Sequence, residues 1–233
     1  MSLEAEIRAR LSSVRARLER AAISARRDPA DIRLIAVSKT FGADHVKAAT
    51  AAGQVDFGEN RVQEALEKIA LAGAPGLRWH LVGHLQANKA RKAAGAFACI
   101  HSIDGADLLG RVDRAAVEAG ASPEALVQVD LAGEPTKHGA RPEEIETTLA
   151  AARSCEAVRV VGLMLLPPFF ADAEDTRPYF RRLREMRDGL VARGVPPAML
   201  AHLSMGMSHD FEVAIQEGAT MVRVGTAIFG DRA

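Results

Sequence analysis

Leu34-Ile35-Ala36-Val37-Ser38-Lys39-Thr40 is the stretch whose reading decides the fold. An apolar run containing Ile and Val that passes straight into Ser38 and Lys39 reads as a central strand of a parallel sheet, buried on both faces. Lys39 then stands at the strand's carboxyl end, the rim where α/β folds bind ligands and gather catalytic groups. A lysine beside an apolar wall has its charged form disfavoured and becomes a usable amine nucleophile. The plain alternative is a lysine that reaches from a strand end into water.

Working outward from this strand, β-like and helix-like segments alternate. Strands are expected at Ile32–Ser38, Val55–Phe57, Trp79–Gly83, Ala98–Ile103, Ala125–Leu131, Val158–Leu165, Leu200–Ser204 and Met221–Gly225. Helices are expected between them, among them Ala43–Ala52, Val62–Ala72, Ala87–Ala96, Ala106–Ala119, Glu174–Arg193 and His209–Glu217. Strict alternation with short loops implies a parallel sheet with right-handed crossovers, and this number of units points to a closed (β/α)8 barrel. An open doubly wound sheet competes, but no G-x-G-x-x-G follows the first strand. Ahead of the barrel, Leu3, Ile7, Leu11, Val14 and Leu18 recur at helical spacing, forming an amphipathic helix that stops near Asp28-Pro29. Its stripe is expected on the outside of the barrel, with a coiled-coil seam as the alternative. Residues 1–233 read as a single domain, the helix of 1–28 packed on it.

Composition narrows the function. The 233 residues carry 30 basic and 30 acidic side chains, so no net field calls for nucleic acid or an anionic membrane. Aromatic residues are only 4%, little material for stacking bases. Cys99 and Cys155 lack metal-ligand spacing, and residues 1–30 lack a signal-peptide pattern. A soluble, reduced, cytoplasmic protein is expected.

In a barrel, the residues just past each strand matter most. They are Lys39; Glu59 and Asn60; His84, Gln86 and Asn88; His101, Ser102 and Asp104; Lys137 and His138; Met164; Ser204 to Ser208; and Arg223 to Thr226. Barrels that bind phosphate usually do so after strands seven and eight. Ser204, Gly206, Gly225 and Thr226 place small hydroxyl and glycine positions there, although each loop alone reads equally as turn chemistry. A lysine and a phosphate cup on one rim suggest a sugar phosphate or pyridoxal phosphate. Arg223, between Val222 and Val224, is the polar residue that alternation turns inward. Its partner is either a carboxylate such as Glu59 or the ring nitrogen of a bound cofactor.

Six segments carry a resemblance. They are Val37-Ser38-Lys39-Thr40, Phe57 to Glu64 (FGENRVQE), Trp79 to Lys89 (WHLVGHLQANK), Gly162-Leu163-Met164, Leu203 to Ser208 (LSMGMS) and Val222 to Gly230 (VRVGTAIFG). Together, from about Ile32 to the end, they resemble the pyridoxal phosphate homeostasis proteins, single-barrel relatives of the N-terminal domain of alanine racemase. The resemblance implies a fold-type III barrel holding pyridoxal 5'-phosphate as a Schiff base on Lys39. It implies that Ser204, Gly206, Gly225 and Thr226 hold the phosphate, that Arg223 faces the pyridine nitrogen, and that Asn60 and Met164 lie close to the ring. Buffering or delivery of vitamin B6 is the implied role, and a monomer is the implied state.

Catalysis is a separate question. An arginine at the pyridine nitrogen keeps its own proton, so the ring is a weaker electron sink. Racemisation also needs a base on each face of the carbanion. Lys39 serves one face. Alanine racemase takes the other base from a tyrosine of its second domain, whereas the single tyrosine here, Tyr179, falls on an outer helix; His84 or His209 are the substitutes. An amino acid racemase of low activity is therefore the alternative function. A metal hydrolase finds no His-x-His at the first strand end, and a lysine aldolase leaves the inward Arg223 unexplained. Lys89-Ala90-Arg91-Lys92 reads as a solvated helix face, the alternative being a docking surface for apo-enzymes that need the cofactor.

Overall fold

The computed structural model describes residues 2–133 and 138–231; Lys137, singled out above, lies outside them. The strands are β1 (Arg33–Val37), β2 (Asp56–Glu59), β3 (Arg78–Leu81), β4 (Cys99–Ile103), β5 (Glu124–Val129), β6 (Arg159–Leu165), β7 (His202–Ser204) and β8 (Met221–Val224). They pair in parallel, in sequence order, and β8 closes on β1 through Arg33↔Met221 to Ala36↔Val224. The expected closed (β/α)8 barrel is therefore the fold.

The helices outside are α1 (Leu3–Ser24), α2 (Ala43–Ala51), α3 (Val62–Ala72), α4 (Ala90–Ala94), α5 (Ala106–Ala119), α6 (Ile145–Ala152), α7 (Arg177–Ala192), α8 (Phe211–Gln216) and α9 (Thr226–Phe229). Two are shorter than their apolar pattern suggests. The segment expected as Ala87–Ala96 divides into a 3-10 turn at Ala87–Lys89 and the short α4, which Gly95 closes. The one expected from His209 begins only at Phe211, because the Asp210 side chain folds back to accept the Met207 amide at 2.6 Å. Arg91 and Lys92 of the basic run are exposed, as a solvated face requires.

Helix α1 starts where the Ser2 hydroxyl accepts the Ala5 amide, a local N-cap. Its stripe of Ile7, Leu11, Val14 and Leu18 is buried against α2, α8 and α9, so the barrel exterior is its partner. Each such side chain contributes about 1.5–3 kcal/mol by leaving water. Arg15 reinforces the seam by donating to the Ala52 and Gly53 carbonyls at 2.9 and 3.0 Å.

The principal core lies between sheet and helices. A second, smaller apolar group joins Ile35, Cys99, Leu126, Met164 and Met221. These come from five strands spread around the sheet and touch one another, which is possible only inside the barrel. They form a plug that closes the interior and leaves its strand-end mouth open above. None of the described helices is long and apolar enough to cross a membrane.

Candidate functional site

Above the plug a cavity of about 600 Å³ opens at the carboxyl ends of the strands. Lys39, Asn60, His84, Gln128, Ser208 and Arg223 line it, together with Gly225 and Thr226 and the apolar Leu166, Pro167, Phe169 and Met207. Strand ends from around the barrel thus converge on one opening, and the amine and the guanidinium share it.

Lys39 sits in a tightly held turn. Before it, the Ser38 amide donates to the Gly58 carbonyl at 3.0 Å and the Ser38 hydroxyl donates to Glu59 Oε1 at 2.6 Å. After it, Thr40 takes the left-handed conformation at φ 70°, and its amide donates to Glu64 Oε1 at 2.6 Å. A β-branched residue there is strained and persists only because its surroundings hold it.

Arg223 is buried and yet lines the cavity, as the alternation of β8 requires. Its Nη1 donates to Ser204 Oγ at 2.6 Å and its Nη2 to the Leu165 carbonyl at 2.8 Å. Burial pushes its pKa down to about 10, with Asp210 opposing the shift, so it stays charged at neutral pH. Glu59, the carboxylate considered as its partner, is engaged elsewhere: Lys68 and Ser38 bind it.

The loops after β7 and β8 meet at Ser208. Its oxygen accepts the Gly225 amide at 3.1 Å and the Ala227 amide at 3.3 Å. A hydroxyl has two lone pairs and one proton. With both lone pairs in use, the proton remains for an acceptor in the cavity. Thr226 adds a second hydroxyl beside it. This corner is built to donate to an anion.

Five of the eight residues expected at the site line the cavity together: Lys39, Asn60, Arg223, Gly225 and Thr226. The other three do not line it. Met164 belongs to the apolar plug. Ser204 is fully buried, its hydroxyl spent on Arg223 and on His101 Nδ1 at 2.9 Å. Gly206 has φ 90°, and a Cβ there would lie 2.6 Å from Ala214 Cβ, so it serves the packing of α8. Ser208 joins the five in lining the cavity. The alternation that turns Arg223 inward, applied to β7, also turns Ser204 inward, whereas Ser208 lies past the end of β7 in the loop.

His84 and His138 also border the cavity, their rings stacked at 3.6 Å and 13°. Burial, then the nearby His138, lowers the His84 pKa, while Asp104, 3.7 Å from its Nδ1, opposes this. Ligand atoms of His84, Asp104 and His138 lie within 4.8 Å of one another. Stacked imidazoles aim their lone pairs in parallel, so this arrangement does not converge on one metal ion.

The eight-stranded parallel barrel, with a lysine, a buried arginine and an anion corner at one mouth, shares its fold with the alanine racemase N-terminal domain. The chain matches that family over residues 10–233. It is 41% identical over 223 residues to a pyridoxal phosphate homeostasis protein of Aquifex aeolicus (strain VF5), covering 96% of this chain and 97% of that one. It is 43% identical over 224 residues to the Pseudomonas aeruginosa protein of the same name, covering 95% and 94%. The structure of PipY of Synechococcus elongatus PCC7942 with pyridoxal phosphate bound has a TM-score of 0.85 at 42% identity, covering 96% of this chain and 100% of that one. The chain belongs to the pyridoxal phosphate homeostasis protein family.

Proposed function

We propose that this protein binds pyridoxal 5'-phosphate reversibly at the mouth of the barrel and serves cytoplasmic vitamin B6 homeostasis by buffering or delivering it. The observation that carries this reading is that Lys39, Arg223 and the Ser208–Thr226 corner share one cavity. The donor set fits the group. An amine suits the aldehyde, a fixed cationic donor suits the unprotonated ring nitrogen, and hydroxyl protons suit the phosphate. Lys39 is the residue that bonds the cofactor, and Asn60 flanks the ring. Gly225, Thr226 and Ser208 hold the phosphate, while Ser204 and Gly206 act indirectly, one through Arg223 and one through the packing of the loop on α8. When bound, the cofactor supplies an aldehyde that condenses with amines and a ring that withdraws electrons. The names of the relatives, and the cofactor in PipY, support the same assignment.

The test is an absorbance spectrum of the purified protein, before and after borohydride, with the modified peptide located. The wild type should absorb near the visible edge and carry the reduced adduct on Lys39, and Lys39→Ala should do neither. A reducible adduct that survives in Lys39→Ala overturns the assignment.

A second reading, a weakly active amino acid racemase, rests on one observation: His84 and His209 both line the cavity. Tyr179 does not, packing instead on Phe170 with ring centroids 5.8 Å apart. Incubation with L-alanine and other L-amino acids decides between the readings. Trace D-isomer supports the binding protein, and turnover on the order of 1 per second supports the racemase.

A further inference from the structure

A chain of buried polar groups crosses the barrel beneath the cavity, and the site as described uses only its last link. Asp56, at the start of β2, accepts from Arg78 Nη2 through Oδ2 at 2.7 Å, and its Oδ1 lies 3.0 Å from His80 Nε2. His80 Nδ1 lies 3.0 Å from His101 Nε2. His101 Nδ1 lies 2.9 Å from Ser204 Oγ, which accepts from Arg223 Nη1 at 2.6 Å. Asp56, His80, His101, Ser204 and Arg223 are all buried. From the ion pair at the strand-start face to the guanidinium at the mouth, no link is missing.

The chemistry of the groups gives this chain one direction. Burial would raise the Asp56 carboxyl, but the bonds from His80 and Arg78 outweigh it and keep the group ionised. Asp56 is therefore an acceptor, and His80 must donate from Nε2. Burial holds His80 and His101 neutral. A neutral imidazole has one N–H and one lone pair. His80 Nδ1 must then accept, His101 must donate from Nε2, and His101 Nδ1 must accept from the Ser204 hydroxyl. The Ser204 proton thus points away from Arg223, leaving its oxygen lone pair for the guanidinium.

We infer that Asp56, His80, His101 and Ser204 are positioning residues whose one-way hydrogen bonding fixes the Arg223 guanidinium as a charged donor at the floor of the cavity. For its ligand this rests on the binding of pyridoxal phosphate proposed above; the chain itself does not. Arg223 is anchored on two sides, by Ser204 and by the Leu165 carbonyl, and its remaining edge faces the cavity. Replacing Asp56 by Asn makes the direction testable at a distance. Arg78 would hold the amide oxygen, which turns the amide NH2 towards His80 Nε2. Every link would then invert, and Ser204 would face two donors, Arg223 and His101 Nδ1–H.

The experiment has two arms. In the first, nitrogen-15 NMR of the histidine side chains is recorded on the full chain without cofactor. Both His80 and His101 should be neutral Nε2–H tautomers in the wild type, and both should become Nδ1–H in Asp56→Asn. An imidazolium or the opposite tautomer in the wild type, or unchanged tautomers in Asp56→Asn, overturns the inference. In the second arm, pyridoxal phosphate is titrated spectrophotometrically. Ser204→Ala should weaken binding about tenfold and move the absorbance maximum of the bound form, and Ser204→Thr should restore both. Wild-type affinity and spectrum in Ser204→Ala overturn the role assigned to Arg223 anchoring. A wild type that takes up no pyridoxal phosphate would instead sink the proposed function, and the NMR arm would still decide the chain.

Discussion

Lys68 Nζ and Glu59 Oε1 lie 2.6 Å apart in an ion pair almost wholly withdrawn from water, directly behind the turn that carries Lys39. Lys68 also donates to the Ser38 carbonyl at 2.8 Å and approaches Glu64 Oε1 at 3.3 Å, and Glu64 in turn holds the Thr40 amide. The residues on either side of Lys39 are therefore tied to one buried cation on α3. A buried pair is weak evidence for stability in itself, because desolvation offsets much of the attraction. Its use here is to hold a strained turn.

Lys68→Met tests this. Removing one partner leaves the Glu59 carboxylate buried and uncompensated, which typically costs 3–5 kcal/mol. In a chain of this size that is a melting shift on the order of 10 °C. Lys68→Met/Glu59→Gln should recover much of it, since the stranded charge is then gone, and a thermal double-mutant cycle measures the difference. The site should suffer in both variants, seen as faster loss of bound pyridoxal phosphate on dilution. Additive melting shifts would show that the pair does not act as a unit.

Gly162→Ala is expected to be among the most damaging small substitutions in the barrel. Gly162 lies opposite His202 in the β6–β7 register, and a Cβ added there would run into the His202 backbone carbonyl. A backbone obstacle cannot turn aside as a side chain can, so the two strands must part. The expected result is insoluble protein or a melting temperature more than about 10 °C below wild type, several kcal/mol. A change within about 2 °C would mean that β6 and β7 are not so closely apposed.

Much of this was legible in the residues. Apolar runs of strand length alternating with helical stripes marked the barrel, because burying a parallel sheet on both faces leaves few other patterns. Lys39 and Arg223 stood out since each breaks an apolar run at a strand end. The supporting groups were harder to see. His80 and His101 each lie within an otherwise buried strand, and the alternation argument made for Arg223 would have turned them inward too. That they meet depends on the stagger of β3 against β4, which spacing along the chain does not carry. Lys68 looks like any helix lysine until α3 is docked. Met164 approaches a strand end and turns inward, where it joins the apolar plug.

Ser208→Ala should weaken binding of pyridoxal phosphate by about tenfold or more, the usual scale for a hydrogen bond to a charged group. Titration with pyridoxal, which lacks the phosphate, separates this from general damage to the pocket. If Ser208 donates to the phosphate, its loss should leave pyridoxal affinity nearly unchanged. An equal loss for both ligands would place the effect in the loop rather than in the contact.

Stability should fall towards acid in two stages, and the sign of each follows from its groups. His80 and His101 are bases whose pKa burial lowers in the fold, His101 well below its ordinary value. As pH drops through about 6.5 the unfolded chain takes up protons that these imidazoles refuse, so folding weakens by up to about 1.4 kcal/mol per pH unit for each group. That loss should begin before any ordinary carboxylate titrates. Asp113 acts lower down. Burial alone would raise its carboxyl, but bonds from the Val158, Ala157 and Glu156 amides outweigh this and bring it below the usual range. Its contribution is complete above about pH 4 and is lost as pH falls through the lowered value. Denaturant melts of wild type and Asp113→Asn from pH 8 to 3 measure both stages. The two proteins should lose stability in parallel between about pH 6.5 and 5, and the gap between them should narrow only below about 4. A wild type equally stable at pH 8 and 5, with His80 and His101 giving the nitrogen-15 signals of imidazolium at neutral pH, would mean that these imidazoles are protonated in the fold, and the one-way chain through them could not then exist.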